Sequence, residues 1–163
     1  MESAGQERFQ GTFSENLIAN PLQAFQMIKR LSIQFRKIER QMRKSQWGRV
    51  AEMSRQFYHL MPTEEDLNGA ALSVIRLQDT YNLTQQQLSL GQIGPVHSQV
   101  KMNGRDCLFF AKQSFNHGYY GHALQWFERA LELAHREGNR TASVDEIMPF
   151  YQIALNVVSW LIL

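Results

Sequence analysis

Cysteine is nearly absent from this chain, and that scarcity sets the first constraint. The single residue, Cys107, cannot close an internal disulfide, so no covalent cross-link holds the fold. Its neighbours Leu108, Phe109 and Phe110 point to a buried thiol. Long apolar runs are missing too: the stretch 153–163 is interrupted by Asn156 and Ser159 and is too short for a membrane span. Charge of one sign is also lacking, with 17 Lys and Arg against 15 Asp and Glu for a net charge of +2. The basic residues gather between Lys29 and Arg55 and alternate with Ile, Phe and Met at helical spacing. No stacking or Gly-rich motif accompanies them, so they read as the solvated face of a helix, and nucleic acid is not an expected partner.

Catalytic patterns are equally scarce. There is no Gly-rich phosphate loop and no Ser nucleophile elbow, and His59, His97, His117 and His122 show no metal-ligand spacing. His135-Arg136-Glu137 has the His-x-acid spacing of a non-haem iron site. It falls at the end of a predicted helix, however, and no later His completes a ligand set. The chain itself is expected to hold no catalytic residue, metal or cofactor, and to bind rather than react.

What is present is helical periodicity. With 163 residues, 44% of them apolar, one core and an arm can form. Strand-like alternation is absent, so the expected fold class is all-α. Residues 1–19 show no period and are expected to be poorly ordered. Order should begin at Asn20-Pro21, a capping residue followed by a residue suited to the first helical position. Ile28, Leu31, Phe35, Ile38 and Met42 then form a seam in heptad register, available either to a neighbouring helix or to a second copy. Gly48 marks a break, and Val50, Met53, Phe57 and Leu60 form a second stripe; the two segments predict a helical hairpin over 20–61. Thr63 caps a third helix whose first turn holds Glu64, Glu65 and Asp66, and whose buried face is Leu67, Ala70, Ala71, Val74 and Leu77. Thr84 caps a short helical turn, and Gly91, Gly94 and Pro95 mark a loop to about Gly104. Asp106 opens the next predicted helix, 107–116, and a longer one spans 119–136. Ser143 caps the last, in which Pro149 either kinks the helix or starts it.

Residues 104–137 fit one tetratricopeptide unit. Ala111 stands in the first helix, Gly118 at the turn and Tyr120 just after it, with Ala123, Phe127 and Ala130 down the second. Each has a packing reason: the alanines let two helices approach, Phe127 fills the space between them, and Gly118 tolerates the turn. One such unit cannot bury its own faces. The helix over 66–81 could cover one side. The segment from Ser143 supplies only the first helix of a next unit, so 62–163 reads as an incomplete, C-terminally truncated domain with Val157, Val158, Trp160, Leu161, Ile162 and Leu163 left uncovered.

A family resemblance rests on specific runs. Pro62 to Ala71, followed by Arg76-Leu77-Gln78-Asp79-Thr80-Tyr81-Asn82-Leu83, is similar to the start of the peptide-substrate-binding domain of animal prolyl 4-hydroxylase α subunits. Asp106-Cys107, Ala111-Lys112, Tyr119-Tyr120, His122, Trp126 and Ala130-Leu131 resemble that family's single well-formed repeat. Asn20-Pro21, Ala24-Phe25 and Lys29-Arg30-Leu31 resemble its N-terminal dimerisation segment. The resemblance covers about residues 17–150. It implies a helical association segment at 20–61 and a peptide-binding domain at 62–163. The implied partners are a proline-rich collagen-like peptide, a second α subunit met through the N-terminal helices, and protein disulfide isomerase as β subunit. Hydroxylation with Fe(II), 2-oxoglutarate, O2 and ascorbate is implied only for a separate catalytic domain of the family.

By position, the resemblance implies peptide contacts from Phe115, Tyr119, Tyr120 and Tyr151. Phe115 stands where the family's aromatic is usually Tyr, and the tyrosine row of the last helix is represented here only by Tyr151. The chemistry suits such a ligand: a polyproline II chain has no internal hydrogen bonds and offers flat pyrrolidine faces for aromatic rings. The competing expectation is a helical-repeat adaptor that keeps the fold and has lost peptide recognition. The family implies the endoplasmic reticulum lumen, to which the acceptor triplets at Asn82 and Asn139 lend support. The polar first ten residues are unlike a secretory leader, which reads as a cytoplasmic chain or one whose leader lies outside this sequence.

Overall fold

The computed structural model describes residues 20–98 and 100–161, and the fold is all-α. The expectation of a poorly ordered 1–19 lies outside the described residues. The side chain of Asn20 accepts from the backbone N–H of Leu22 at 3.0 Å and of Gln23 at 3.4 Å, and Pro21 takes the first helical position. Helix α1 (Pro21–Lys29) starts there and passes into a π-helical segment (Arg30–Phe35) and then helix α2 (Arg36–Arg43). A π turn takes in one more residue than an α turn, so the positions beyond it are rotated relative to those before. The predicted seam is therefore kept only in part: Ile28, Leu31, Phe35 and Met42 are half-buried, but Ile38 is 54% exposed while Ser32 and Glu39 are buried at 2% and 3% exposure.

Helix α3 (Gly48–Ser54) packs against α2 and runs into a 3-10 segment (Arg55–Leu60), which gives the expected hairpin. Its stripe faces outward, however. Val50, Met53, Phe57 and Leu60 are 47% to 70% exposed, and Ala51 is the buried residue.

Helix α4 (Glu64–Tyr81) begins at a reciprocal capping box. Thr63 accepts from the Asp66 N–H at 3.3 Å, and the Asp66 carboxylate accepts from the Thr63 N–H at 2.7 Å. Those bonds from Thr63 hold the Asp66 carboxyl below the usual carboxylate range. A second box at Thr84 and Gln87 starts α5 (Gln85–Ser89). The predicted loop that follows contains a minimal antiparallel hairpin, β1 (Gln92–Ile93) and β2 (Val96–His97), with Ile93 opposite Val96. Two residues per strand are too few for alternation to be visible in the sequence. Gly91 enters this hairpin at φ +86°, where an added Cβ would lie 2.6 Å from the carbonyl oxygen of Ser98. Only glycine fits there.

Helix α6 (Gly104–Asn116) is capped by Asn103, with Asp106 as its box partner rather than its opening residue. A tight turn through Gly118, at φ +80°, leads to α7 (Tyr120–Arg136). The Ser143 hydroxyl accepts from the Glu146 N–H at 3.2 Å at the start of α8 (Val144–Leu161). Pro149 lies inside α8, which is continuous across it. None of these helices is long and apolar enough to cross a membrane, among the described residues.

The core lies between α1, α4, α6, α7 and the first half of α8. Ala111, Ala123 and Ala130 are fully buried, and Trp126 and Phe127 fill the space beside them. The Trp126 indole donates to Gln78 at 3.0 Å, so the one polar atom of that ring is satisfied inside. Helix α1 contributes Leu22 and Phe25, both buried, and the Phe25 ring meets Phe110 edge-on at 4.8 Å. The hairpin residues that follow the π segment do not enter this core.

Candidate functional site

Three helices supply side chains to one concave surface. Helix α6 contributes Lys112, Phe115 and Asn116, α7 contributes Phe127, and α8 contributes Phe150 and Ile153; together they line a cavity of about 290 Å³. The wall is mostly carbon. Phe127, at 1% exposure, forms the floor, while Phe150 and Ile153, at 41% and 52%, present themselves at the surface. Such side chains reach one place because α6 and α8 flank α7 and each presents residues a helical turn apart.

The residues expected from the sequence are distributed around this groove. Phe115 lines it, and Tyr120 packs edge-on behind Phe115 with ring centroids 5.3 Å apart. Tyr119 is half-buried beside His122, at 6.3 Å, on the side of α7 where His122 meets Gln78 and Asp79 of α4. Tyr151 packs at 6.4 Å from Phe127, and its hydroxyl donates to Glu128 at 3.1 Å. Burial, with Glu128 beside it, raises the Tyr151 phenol above its ordinary range. The groove thus unites Phe115 with Lys112, Phe150 and Ile153, none of which the sequence singled out as a contact. Phe150 is adjacent to Tyr151 in the chain, and a helix turns each residue through about 100°, so the two present different faces.

Other candidate chemistry is committed to structure. The Glu137 carboxylate accepts from the Gly104 N–H at 3.2 Å and from the Thr141 hydroxyl, which ties the end of α7 to the start of α6. Cys107 is fully buried, and that burial pushes its thiol far above its ordinary range, which favours the neutral, unreactive form. Among the described residues, no group of three His, Cys, Asp or Glu side chains could hold a metal ion.

The second surface of note is the arm. Ile38, Trp47, Val50, Met53, Phe57 and Leu60 stand exposed there, 47–70% of their area being accessible, a larger apolar patch than isolated surface residues make. Arg and Lys residues are interspersed with them along the sequence.

Helix pairs stacked around one core place the chain among all-α helical proteins. A sequence profile described as the prolyl 4-hydroxylase alpha-subunit, N-terminal region, matches residues 3–95. The chain is 32% identical over 140 residues to prolyl 4-hydroxylase subunit alpha-1 of Caenorhabditis elegans, a match covering 85% of this chain and 25% of the relative. Against prolyl 4-hydroxylase subunit alpha-2 of Gallus gallus it is 34% identical over 145 residues, 86% of this chain and 26% of the relative. Subunit alpha-1 of Homo sapiens is 32% identical over 120 residues, 72% of this chain and 22% of the relative. The chain belongs to the prolyl 4-hydroxylase α-subunit family, and it spans about a quarter of the length of the curated relatives it matches.

Proposed function

We propose that these residues form the substrate-recognition and subunit-association portion of a prolyl 4-hydroxylase α subunit, with a tetratricopeptide-like groove for proline-rich, collagen-like peptide. The observation that carries this reading is the groove itself. Phe115 and Phe150 face one apolar trough of about 290 Å³ whose floor is Phe127, which suits the flat, pre-extended pyrrolidine faces of a polyproline II chain. Asn116, at its rim, offers an amide to the peptide carbonyls that such a chain leaves unpaired. The arm is the proposed contact with a second α subunit. The role of these residues is binding; hydroxylation with Fe(II), 2-oxoglutarate and ascorbate, pairing with protein disulfide isomerase and residence in the endoplasmic reticulum lumen belong to the proposal through the family.

The deciding experiment is a titration of the full chain with a (Pro-Pro-Gly) repeat peptide, followed by calorimetry and by backbone amide shifts of residues 112–116. Saturable binding with shifts confined to the groove supports the reading. Unmoved shifts at millimolar peptide would sink it and favour the adaptor alternative. That second reading draws on one observation: no tyrosine lines the groove, and the Tyr151 hydroxyl is already engaged by Glu128.

A further inference from the structure

The peptide-binding reading leaves one feature of the groove unused, its charge. Lys112 is the single ionisable residue among those that line it. The Lys112 ammonium lies 3.8 Å from the centroid of the Phe150 ring, over its face. Ion pairs among the described residues join Lys29 to Asp106, Arg43 to Glu39, Arg55 to Glu52, Arg105 to Glu146, His122 to Asp79, and Arg129 and Arg136 to Glu132; Lys112 has none. Glu128, the acid next to Phe127 in sequence, accepts from the Tyr151 hydroxyl instead.

An aromatic face attracts a cation through its quadrupole and leaves the charge unneutralised. A cation held against an apolar wall projects its field into the trough, because the low-dielectric side neither screens nor hydrates it. Half-buried Lys112 is in that position. An uncharged proline repeat gives this charge only carbonyl oxygens. A polyproline II chain turns a third of a revolution and rises about 3.1 Å per residue, so a side chain one position from a ring-stacked proline is carried to its flank at a fixed spacing, where a carboxylate could meet Lys112.

We infer that Lys112 is a specificity-determining residue, and that the groove prefers proline-rich segments carrying an acidic side chain beside the stacked proline over wholly uncharged ones. The inference rests on the peptide-binding role proposed above. A single partly exposed ion pair corresponds to an affinity gain of about fivefold.

Three peptides separate the possibilities: a (Pro-Pro-Gly) repeat, the same repeat with one central proline replaced by Glu, and the same with Gln as the uncharged isostere. Calorimetry on the wild-type chain is expected to show the Glu peptide binding about fivefold tighter than the Gln peptide, with the difference collapsing at high salt. In Lys112→Met the Glu-over-Gln preference disappears, with a far-ultraviolet dichroism spectrum and urea midpoint like those of wild type reporting an intact fold; in Lys112→Arg the preference survives. Equal affinity of wild type for the Glu and Gln peptides, alongside binding of the uncharged repeat, overturns the inference and leaves the groove reading intact. A preference that persists in Lys112→Met also overturns it. Failure of all three peptides to bind wild type removes both. Should Lys112→Met not fold, the salt dependence of the wild-type preference and the Lys112→Arg result decide alone.

Discussion

Tyr151 shows how a residue next to a site can be held away from it. Its hydroxyl donates to Glu128, and burial followed by that neighbouring carboxylate raises its phenol. The folded state therefore favours the neutral ring. The resulting stabilisation is complete below the unfolded tyrosine value, about 10, and is lost as pH rises through the higher folded value. Tyr151→Phe should cost about 0.5–1 kcal/mol at neutral pH, since one exposed hydrogen bond is removed. The variant should also lose the part of the alkaline destabilisation above about pH 10 that Tyr151 contributes. Urea midpoints for both proteins between pH 7 and 11 would check this, and parallel curves over that range would contradict it. At the same scale, Phe115 was legible from the family pattern, whereas Lys112, Phe150 and Ile153 were not. The sequence shows which residues a helix carries but not how α6 and α8 are turned about α7.

Among elements, those most legible in the sequence are the ones whose starts are written locally. Asn20-Pro21, Thr63, Thr84 and Ser143 each satisfy backbone N–H groups within three residues of themselves, so tertiary context is not needed to find them. Asn103 was missed because Asp106, its box partner three residues later, is an equally good capping residue in isolation. The π segment had no such signature. It changes the register between Lys29 and Arg36, so a seam counted at α-helical spacing places Ile38 inside and Glu39 outside, the reverse of what occurs. The outward stripe of α3 and the 3-10 segment is the element-scale consequence. Met53 and Leu60, at 67% and 70% exposure, are surface residues in this chain. Replacing both with Glu should change monomer stability by no more than about 0.5 kcal/mol each. If the arm pairs two α subunits, the same change shifts the sedimentation-equilibrium mass from dimer toward monomer, because a desolvated carboxylate in an apolar interface is strongly unfavourable. An unchanged mass would remove this stripe from the interface.

The whole molecule does not divide cleanly between arm and helical domain. Helix α1 precedes the π segment and packs on α4, and its Phe25 ring lies against both Phe109 and Phe110 of α6. Lys29 pairs with Asp106, a 2%-exposed carboxylate that also accepts from Gln26 at 2.9 Å and closes the cap of α6. Removing either partner would leave the other as an uncompensated charge at the start of the helix that carries Phe115 and Lys112. The first nine helical residues are therefore structural parts of the groove-bearing unit, and the exposed hairpin after them is attached to it through a continuous helix. Phe25→Ala should then destabilise the whole chain by about 3–5 kcal/mol, the usual cost of emptying an aromatic core site. Phe57→Ala, at a residue 49% exposed, should cost about 0.5 kcal/mol or less. Urea unfolding of the full chain, read by far-ultraviolet dichroism and by Trp126 fluorescence in a chain whose other two tryptophans are replaced by Phe, tests the difference. The two probes should move together in Phe25→Ala. A dichroism loss that leaves the Trp126 transition in place would mean that α1 folds apart from α6, and that the arm begins at Pro21 instead of after the π segment.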